Sequence, residues 1–113
     1  MKIKELKQII LNGGATLNST GKQVSYNNGY QVSKKDCYIL NVKNLNKVLK
    51  AVNKTLASLA TNDFCGLWVD NGLIYIDISE HIARLSNAMQ IGVERKQKSI
   101  FDWCLSRCIC LEI

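Results

Sequence analysis

The sequence predicts a small α+β protein, with a mainly antiparallel sheet and two to three helices. An Asn-Gly pair between two alternating runs at residues 66–77 is typical of a β-hairpin. Residues 44–60 carry apolar side chains at helical spacing, and short strand-like runs occupy most of residues 15–40. The predicted order is α-β-β-β-α-β-β-α-β-β, in a single domain over residues 1–113, which is close to the commonest domain size.

The first third of the chain predicts one helix and then a strand meander. Apolar residues at helical spacing followed by Asn12-Gly13-Gly14 predict a helix over residues 2–11. Beyond it, short runs rich in β-branched and aromatic residues alternate with turn residues, which predicts a meander of two to four strands. These runs are residues 16–18, 23–26, 30–32 and 37–40.

The long central helix is predicted from six apolar side chains that fall on one arc of about 100°. Asn41 or Asn44 can cap its first turn, and residues 61–63 end it. The six are Leu45, Val48, Leu49, Val52, Leu56 and Leu59.

The hairpin follows, and its two-residue Asn71-Gly72 loop determines the strand register. Asp70 then pairs with Leu73 and Trp68 with Tyr75, which leaves one face wholly apolar and gives the other face an aromatic pair flanked by two carboxylates. The apolar face consists of Cys65, Leu67, Val69, Ile74, Ile76 and Ile78.

The last third predicts a helix and two strands. Ser79 and Ser86 are rival helix caps, so a helix is predicted over residues 86–97 and residues 79–85 are left unassigned. Residues 99–103 and 108–113 are predicted strands.

The amino-acid composition limits the classes of protein to which this chain could belong. The chain is 47% apolar and 21% charged, and no segment approaches the ~20 apolar residues of a membrane span. Its charged beginning lacks the features of a secretory signal, so we expect a cytoplasmic protein without a membrane partner. Five cysteines in such a chain predict reduced thiols, packed mainly as small apolar groups.

The positive charge lies in the first half of the chain. Residues 1–60 contain ten Lys against Glu5 and Asp36, a balance of +8, within a total of +6. Four of these lysines lie within about 60° of each other on the central helix, opposite its apolar arc, and we call them the lysine stripe: Lys43, Lys47, Lys50 and Lys54. They could bind nucleic acid or an acidic surface, or form an ordinary solvated helix face.

The second hairpin face is the other candidate binding surface. Trp68 and Tyr75 can act as anchors for a partner protein, because large rigid rings bury much area at little entropic cost, with Asp70 and Asp77 beside them. The alternative is that helices cover this face and the aromatic pair belongs to the core.

The sequence gives little support for metal binding or catalysis. Cys104, Cys108 and Cys110, with His81 as a fourth ligand, lack the paired spacing of structural zinc sites. Asp70, Asp77, Glu80 and Asp102 could surround a divalent cation in a small nuclease, but such carboxylates are commonly solvated or capping. We therefore predict no catalytic residue, no metal and no cofactor.

The block from Gly66 to Asp77, followed by Ala88, Gly92, Gln97 and residues 99–102, resembles small proteins carried by phages and mobile elements of Gram-positive bacteria and actinobacteria. Residues 14–17 and 29–33 are similar too, whereas residues 103–110 depart from the more polar ending of those proteins. The resemblance implies no reaction.

Proteins of this kind include anti-CRISPR inhibitors, so the resemblance suggests a non-enzymatic inhibitor that binds a host protein or ribonucleoprotein defence complex, with a Cas nuclease as its target. The alternative is a basic nucleic-acid-binding accessory domain that uses the lysine stripe. A metal-dependent nuclease is the third hypothesis.

Overall fold

The structure, a computed structural model, describes residues 1–111. It confirms the α+β class. Within these residues, three helices accompany six strands in one antiparallel sheet of order β1-β3-β4-β2-β5-β6. The elements are α1 Ile3–Asn12, β1 Gly14–Leu17, β2 Tyr30–Asn41, α2 Leu45–Ala57, β3 Phe64–Asp70, β4 Leu73–Ile82, α3 Leu85–Glu94, β5 Ser99–Asp102 and β6 Arg107–Cys110.

The first two helices form where apolar periodicity predicts them. α1 ends at Gly13, whose φ of 92° is a left-handed conformation that glycine adopts without steric cost. α2 begins after Asn44, and both helices bury one apolar stripe against the sheet. Leu6, Ile9, Val48 and Val52 are at most 1% exposed and are the centre of the larger core cluster. None of the helices in the described part of the chain is long and apolar enough to cross a bilayer.

The β3–β4 hairpin has the predicted register at every position from Asp70–Leu73 to Gly66–Asp77. Its turn residues have positive φ, 50° at Asn71 and 77° at Gly72, as a tight hairpin loop requires. The predicted apolar face is confirmed as the core side, because the larger core cluster contains five of its six residues: Cys65, Leu67, Ile74 and Ile76 at its buried centre, and Val69 packed against them.

All three helices pack on the same face of the sheet. Ile74 and Ile76 contact the cluster that contains α1 and α2. Strand alternation places Glu80 on that same face, and Val32, which pairs with Glu80, packs with Ala88 of α3. Within residues 1–111, the opposite face of the sheet therefore carries no helix, and we call it the helix-free face.

The sheet curls toward this helix-free face. Strands β4 and β2 separate β3 from β5, so a flat sheet would hold β3 and β5 about 14 Å apart. The rings of Trp68 on β3 and Phe101 on β5 are nevertheless in contact, with centroids 5.4 Å apart. Curling makes the helix-free face concave and creates a cavity on it.

The predicted strand meander is wrong in two respects. Residues 23–26 form no strand and make only an isolated bridge from Gln23 to Leu17, and the Tyr26 ring packs against Phe64 and His81. The runs 30–32 and 37–40 are one strand, β2, whose irregularities between Ser33 and Tyr38 accommodate the residues read as a turn.

The two strands that do form in this region, β1 and β2, are not neighbours in the sheet. β1 pairs with β3, and β2 pairs with β4 and β5, so long-range pairing replaces the expected meander. The described residues contain one strand fewer than predicted.

The remaining helix and strand boundaries differ from the predicted ones by a few residues. β4 extends to Ile82 and includes Ser79, so α3 starts near Ser86 and ends at Glu94. Lys96, with φ 57°, follows the end of this helix. The predicted last strand is observed as β6, and its final residues 112–113 lie outside the described residues.

Candidate binding site on the helix-free face

The predicted aromatic pair lies on the helix-free face. Trp68 and Tyr75 are cross-strand neighbours and are 38% and 37% exposed. Tyr75 also pairs with Ile39 of β2, which is 61% exposed, so three large apolar side chains lie in a row across β3, β4 and β2. The alternative, in which helices cover this face and the aromatic pair belongs to the core, is therefore not what the structure shows.

A second aromatic series runs along the same side of the molecule. Phe101 contacts Trp68 at one end and Trp103 at the other, with ring centroids 5.4 and 4.9 Å apart. Trp103 in turn contacts Tyr26 at 5.6 Å, and Tyr26 contacts Phe64 at 6.0 Å. These edge and tilted contacts are favourable ring geometries, and they join β3 to β5 where no backbone pairing does so.

A cavity of about 320 Å³ lies between the rings of Trp68 and Phe101 and the floor of the sheet. The exposed side chains of Trp68 and Asp70 lie among its lining residues, whereas Gln31 and Ser79 are at most 7% exposed. The Gln31 side-chain Nε2 donates to the Ser79 hydroxyl at 2.9 Å, and the Trp103 indole N–H donates to the Gln31 side-chain Oε1 at 3.1 Å. These bonds hold the polar floor in one arrangement.

Asp77 is more deeply placed than the sequence suggested. Its side chain lies against Gly66, the cross-strand neighbour, and a Cβ atom at Gly66 would collide with the carboxylate. Oδ1 is buried and has no hydrogen-bond partner among the described residues.

Burial is the main reason that the pKa of Asp77 rises from 3.8 to about 6, and nearby Asp36 adds to the increase. The Ser33 hydroxyl and the Gly66 backbone N–H favour the charged form but do not outweigh burial. The Asp77 carboxylate therefore lies in the wall of the cavity with too few hydrogen-bond donors around it to offset its burial.

The lysine stripe lies on the other side of the molecule. All four of its lysines are exposed, and α2 packs its opposite side against the sheet. The salt bridges among the described residues involve Lys34 and Arg95 and none of the four. The structure thus separates the two predicted surfaces and does not combine them into one site.

The single histidine, His81, has a structural role. The His81 ring stacks on Tyr26 with centroids 4.2 Å apart, and its Nε2 is hydrogen-bonded to the Asn28 carbonyl oxygen at 2.9 Å. Gly29 leaves room for this ring, since a Cβ there would collide with it. His81 thereby attaches the β1–β2 loop to β4.

The cysteines differ from the expectation of mainly packed thiols. Cys65 is buried, and burial raises its pKa to about 12, which makes the thiolate inaccessible at neutral pH. Cys37 is partly buried, whereas Cys104, Cys108 and Cys110 are exposed on or near the short β6 strand. Within residues 1–111, no group of three or more His, Cys, Asp or Glu side chains is arranged to hold a metal ion.

Sequence reasoning missed Ile39, Phe101, Gln31 and Ser79 as parts of this surface. Their runs do read as strands, but their position beside Trp68, Tyr75 and Asp77 follows from the pairing of β2 with β4 and β5 and from the curl of the sheet. No local pattern encodes these long-range pairings.

The comparisons with known proteins give this chain no relative: no family model matches it, and neither the curated proteins nor the solved structures include a match.

Proposed function

We propose that this protein is a non-enzymatic inhibitor from a phage or mobile element, which binds a host defence complex of the CRISPR type and has a Cas nuclease as its target. One observation carries the proposal: the helix-free face presents Trp68, Tyr75 and Ile39 side by side and partly exposed, next to Asp70. Exposed aromatic side chains grouped at the centre of a surface are typical of protein interfaces.

The shape of the face adds support. It is concave, and the Trp68 ring is held by its contact with Phe101, which in turn contacts Trp103, so the Trp68 side chain has little freedom to lose on binding. The exposed carboxylate of Asp70 gives the face an acidic margin that suits a basic, nucleic-acid-binding surface on the target.

The test is a DNA-cleavage assay with a panel of RNA-loaded Cas nucleases from Gram-positive hosts. The protein should suppress cleavage when present in stoichiometric amount, and Trp68→Ala and Tyr75→Ala should each raise the concentration needed by more than about tenfold, as loss of a central anchor does. Leu11→Ala is the matched control, because Leu11 is 80% exposed on α1 but lies on the helix side.

The proposal fails if no nuclease in the panel is inhibited, or if Leu11→Ala weakens inhibition as much as Trp68→Ala does. Size-exclusion chromatography of the mixture separates true complex formation from an effect on the DNA substrate.

A second candidate function is nucleic-acid binding through the lysine stripe, favoured by four exposed lysines without an ion-pair partner among the described residues. Binding of random duplex DNA should then fall with salt, with a log–log slope of about −0.9 for each phosphate contacted. A slope corresponding to three or more phosphates, abolished by Lys47→Gln together with Lys50→Gln, supports this function. A flat response contradicts it.

A further inference from the structure

The cavity on the helix-free face has two kinds of wall. One is aromatic, formed by the rings of Trp68 and Phe101, which are tilted by 51° with centroids 5.4 Å apart. The other is polar and includes Thr16, Gln31 and the Asp77 carboxylate. A group that fits must combine a flat apolar surface with several hydrogen-bond donors.

The donors are required because two carboxylates, those of Asp70 and Asp77, lie in the lining of the cavity. Oδ1 of Asp77 has no partner among the described residues and is buried against Gly66, so a donor can reach this carboxylate only from the cavity that Asp77 lines. Leaving such a group unpaired costs free energy that a charged donor can recover. Asp70, exposed at the cavity, adds a second acidic group.

A guanidinium group meets both requirements. It is planar, stacks on aromatic faces and offers five N–H donors in a fixed fork that matches a carboxylate. An ammonium group supplies charge and donors but no flat surface, so it would use the polar wall only. Arginine is also among the residues most often found as interface anchors.

We propose that this cavity is a receptor for an arginine side chain of the partner protein, with Asp77 pairing with the guanidinium and the rings of Trp68 and Phe101 covering its face. This inference rests on the proposed function, since it states how the helix-free face would recognise its target. Asp70 would then guide the arginine into the cavity from its mouth.

The test uses the isolated full-length protein, labelled with ¹⁵N, and capped single amino acids as probes. Acetyl-arginine-methylamide should shift the indole N–H signal of Trp68, one of only two tryptophans, with a dissociation constant in the millimolar range. Acetyl-lysine-methylamide should bind at least about fivefold more weakly, because it lacks the stacking surface.

Two nearly isosteric variants complete the test. Asp77→Asn should weaken arginine binding by at least about tenfold, whereas Glu5→Gln, an exposed substitution on α1, should not change it. Equal binding of the two probes, or full arginine binding by Asp77→Asn, would overturn the assignment. Tighter binding of agmatine than of capped arginine would reassign the cavity to a small free guanidine and overturn the partner-protein source.

This result is separable from the outcome of the cleavage assay. Arginine binding without inhibition of any nuclease would leave the receptor standing and reject the proposed function. Inhibition that Trp68→Ala abolishes, without measurable arginine binding, would reject the receptor alone.

Discussion

The absence of a side chain at Gly66 is what allows the Asp77 carboxylate to occupy its position. Because Gly66 has no Cβ, the Asp77 side chain can lie flat against β3, where Oδ1 of the carboxylate loses contact with water. A charged group in this place opposes folding, and proteins retain such groups mainly at sites with a function. The cost should be visible in the dependence of stability on pH.

We expect Asp77→Asn to stabilise the protein in a pH-dependent way. The folded-state pKa of about 6 is above the ordinary 3.8, so the native state binds the proton more tightly than the unfolded state does. Asp77 therefore costs almost nothing at pH 3, and its cost grows as the pH rises from about 4 to 6, to about 3 kcal/mol. The free energy of unfolding of the variant should exceed that of the parent by this amount at pH 8 and equal it at pH 3.

Urea denaturation at the two pH values measures this difference. Asp70→Asn, a change to an exposed carboxylate on the same face, is the control and should stay within about 0.5 kcal/mol of the parent at both. A pH-independent gain in Asp77→Asn would show that the carboxylate is solvated in the native state.

At the scale of elements, the β3–β4 hairpin is the most local structure in the fold. Its turn needs two consecutive positive φ angles, and Asn71 and Gly72 are the residue types that adopt them at least cost. Alternation of the following residues then separates the core face from the helix-free face. The position of Trp68 beside Tyr75 therefore depends on this turn.

Gly72→Ala should lower the free energy of unfolding by about 1 kcal/mol. The φ of 77° disfavours any side chain, although no atom lies within 4 Å of a Cβ at this position, so the cost is conformational and not a clash. Asn71→Gly is the control and should be nearly neutral, because glycine tolerates φ of 50°. Thermal denaturation followed by circular dichroism measures both, and a neutral Gly72→Ala would contradict the observed turn conformation.

For the whole molecule, the decisive feature is the location of all three helices on one face of a curled sheet. That arrangement buries Ile76 under α1 and α2 and leaves Ile39, on the opposite face, 61% exposed. The same amino acid on two adjacent strands thus has opposite environments.

Ile76→Ala should lower the free energy of unfolding by about 3 kcal/mol, because it creates a cavity in the larger core cluster. Ile39→Ala should cost less than about 0.5 kcal/mol, because its side chain is mostly in water already. Comparable losses in the two variants would mean that the helix-free face is covered in solution, by another copy of the chain or by a different packing.

What the sequence alone determined is the local structure. The spacing of Val48 and Val52 on α2, the stop at Gly13 and the Asn71-Gly72 turn each depend on neighbours within a few residues, so their patterns predict helices and a hairpin with correct register. The two faces of that hairpin were predictable for the same reason.

Only the tertiary structure decided what those faces meet. The pairing of β2 with β4 and β5, the bulges that merge two predicted strands into one, and the contact of Trp68 with Phe101 all join residues far apart in sequence. Such contacts depend on packing of the whole chain, which no short pattern encodes. The concave cavity and the donor-poor setting of Asp77 arise from that packing, since burial and curvature are properties of the assembled sheet.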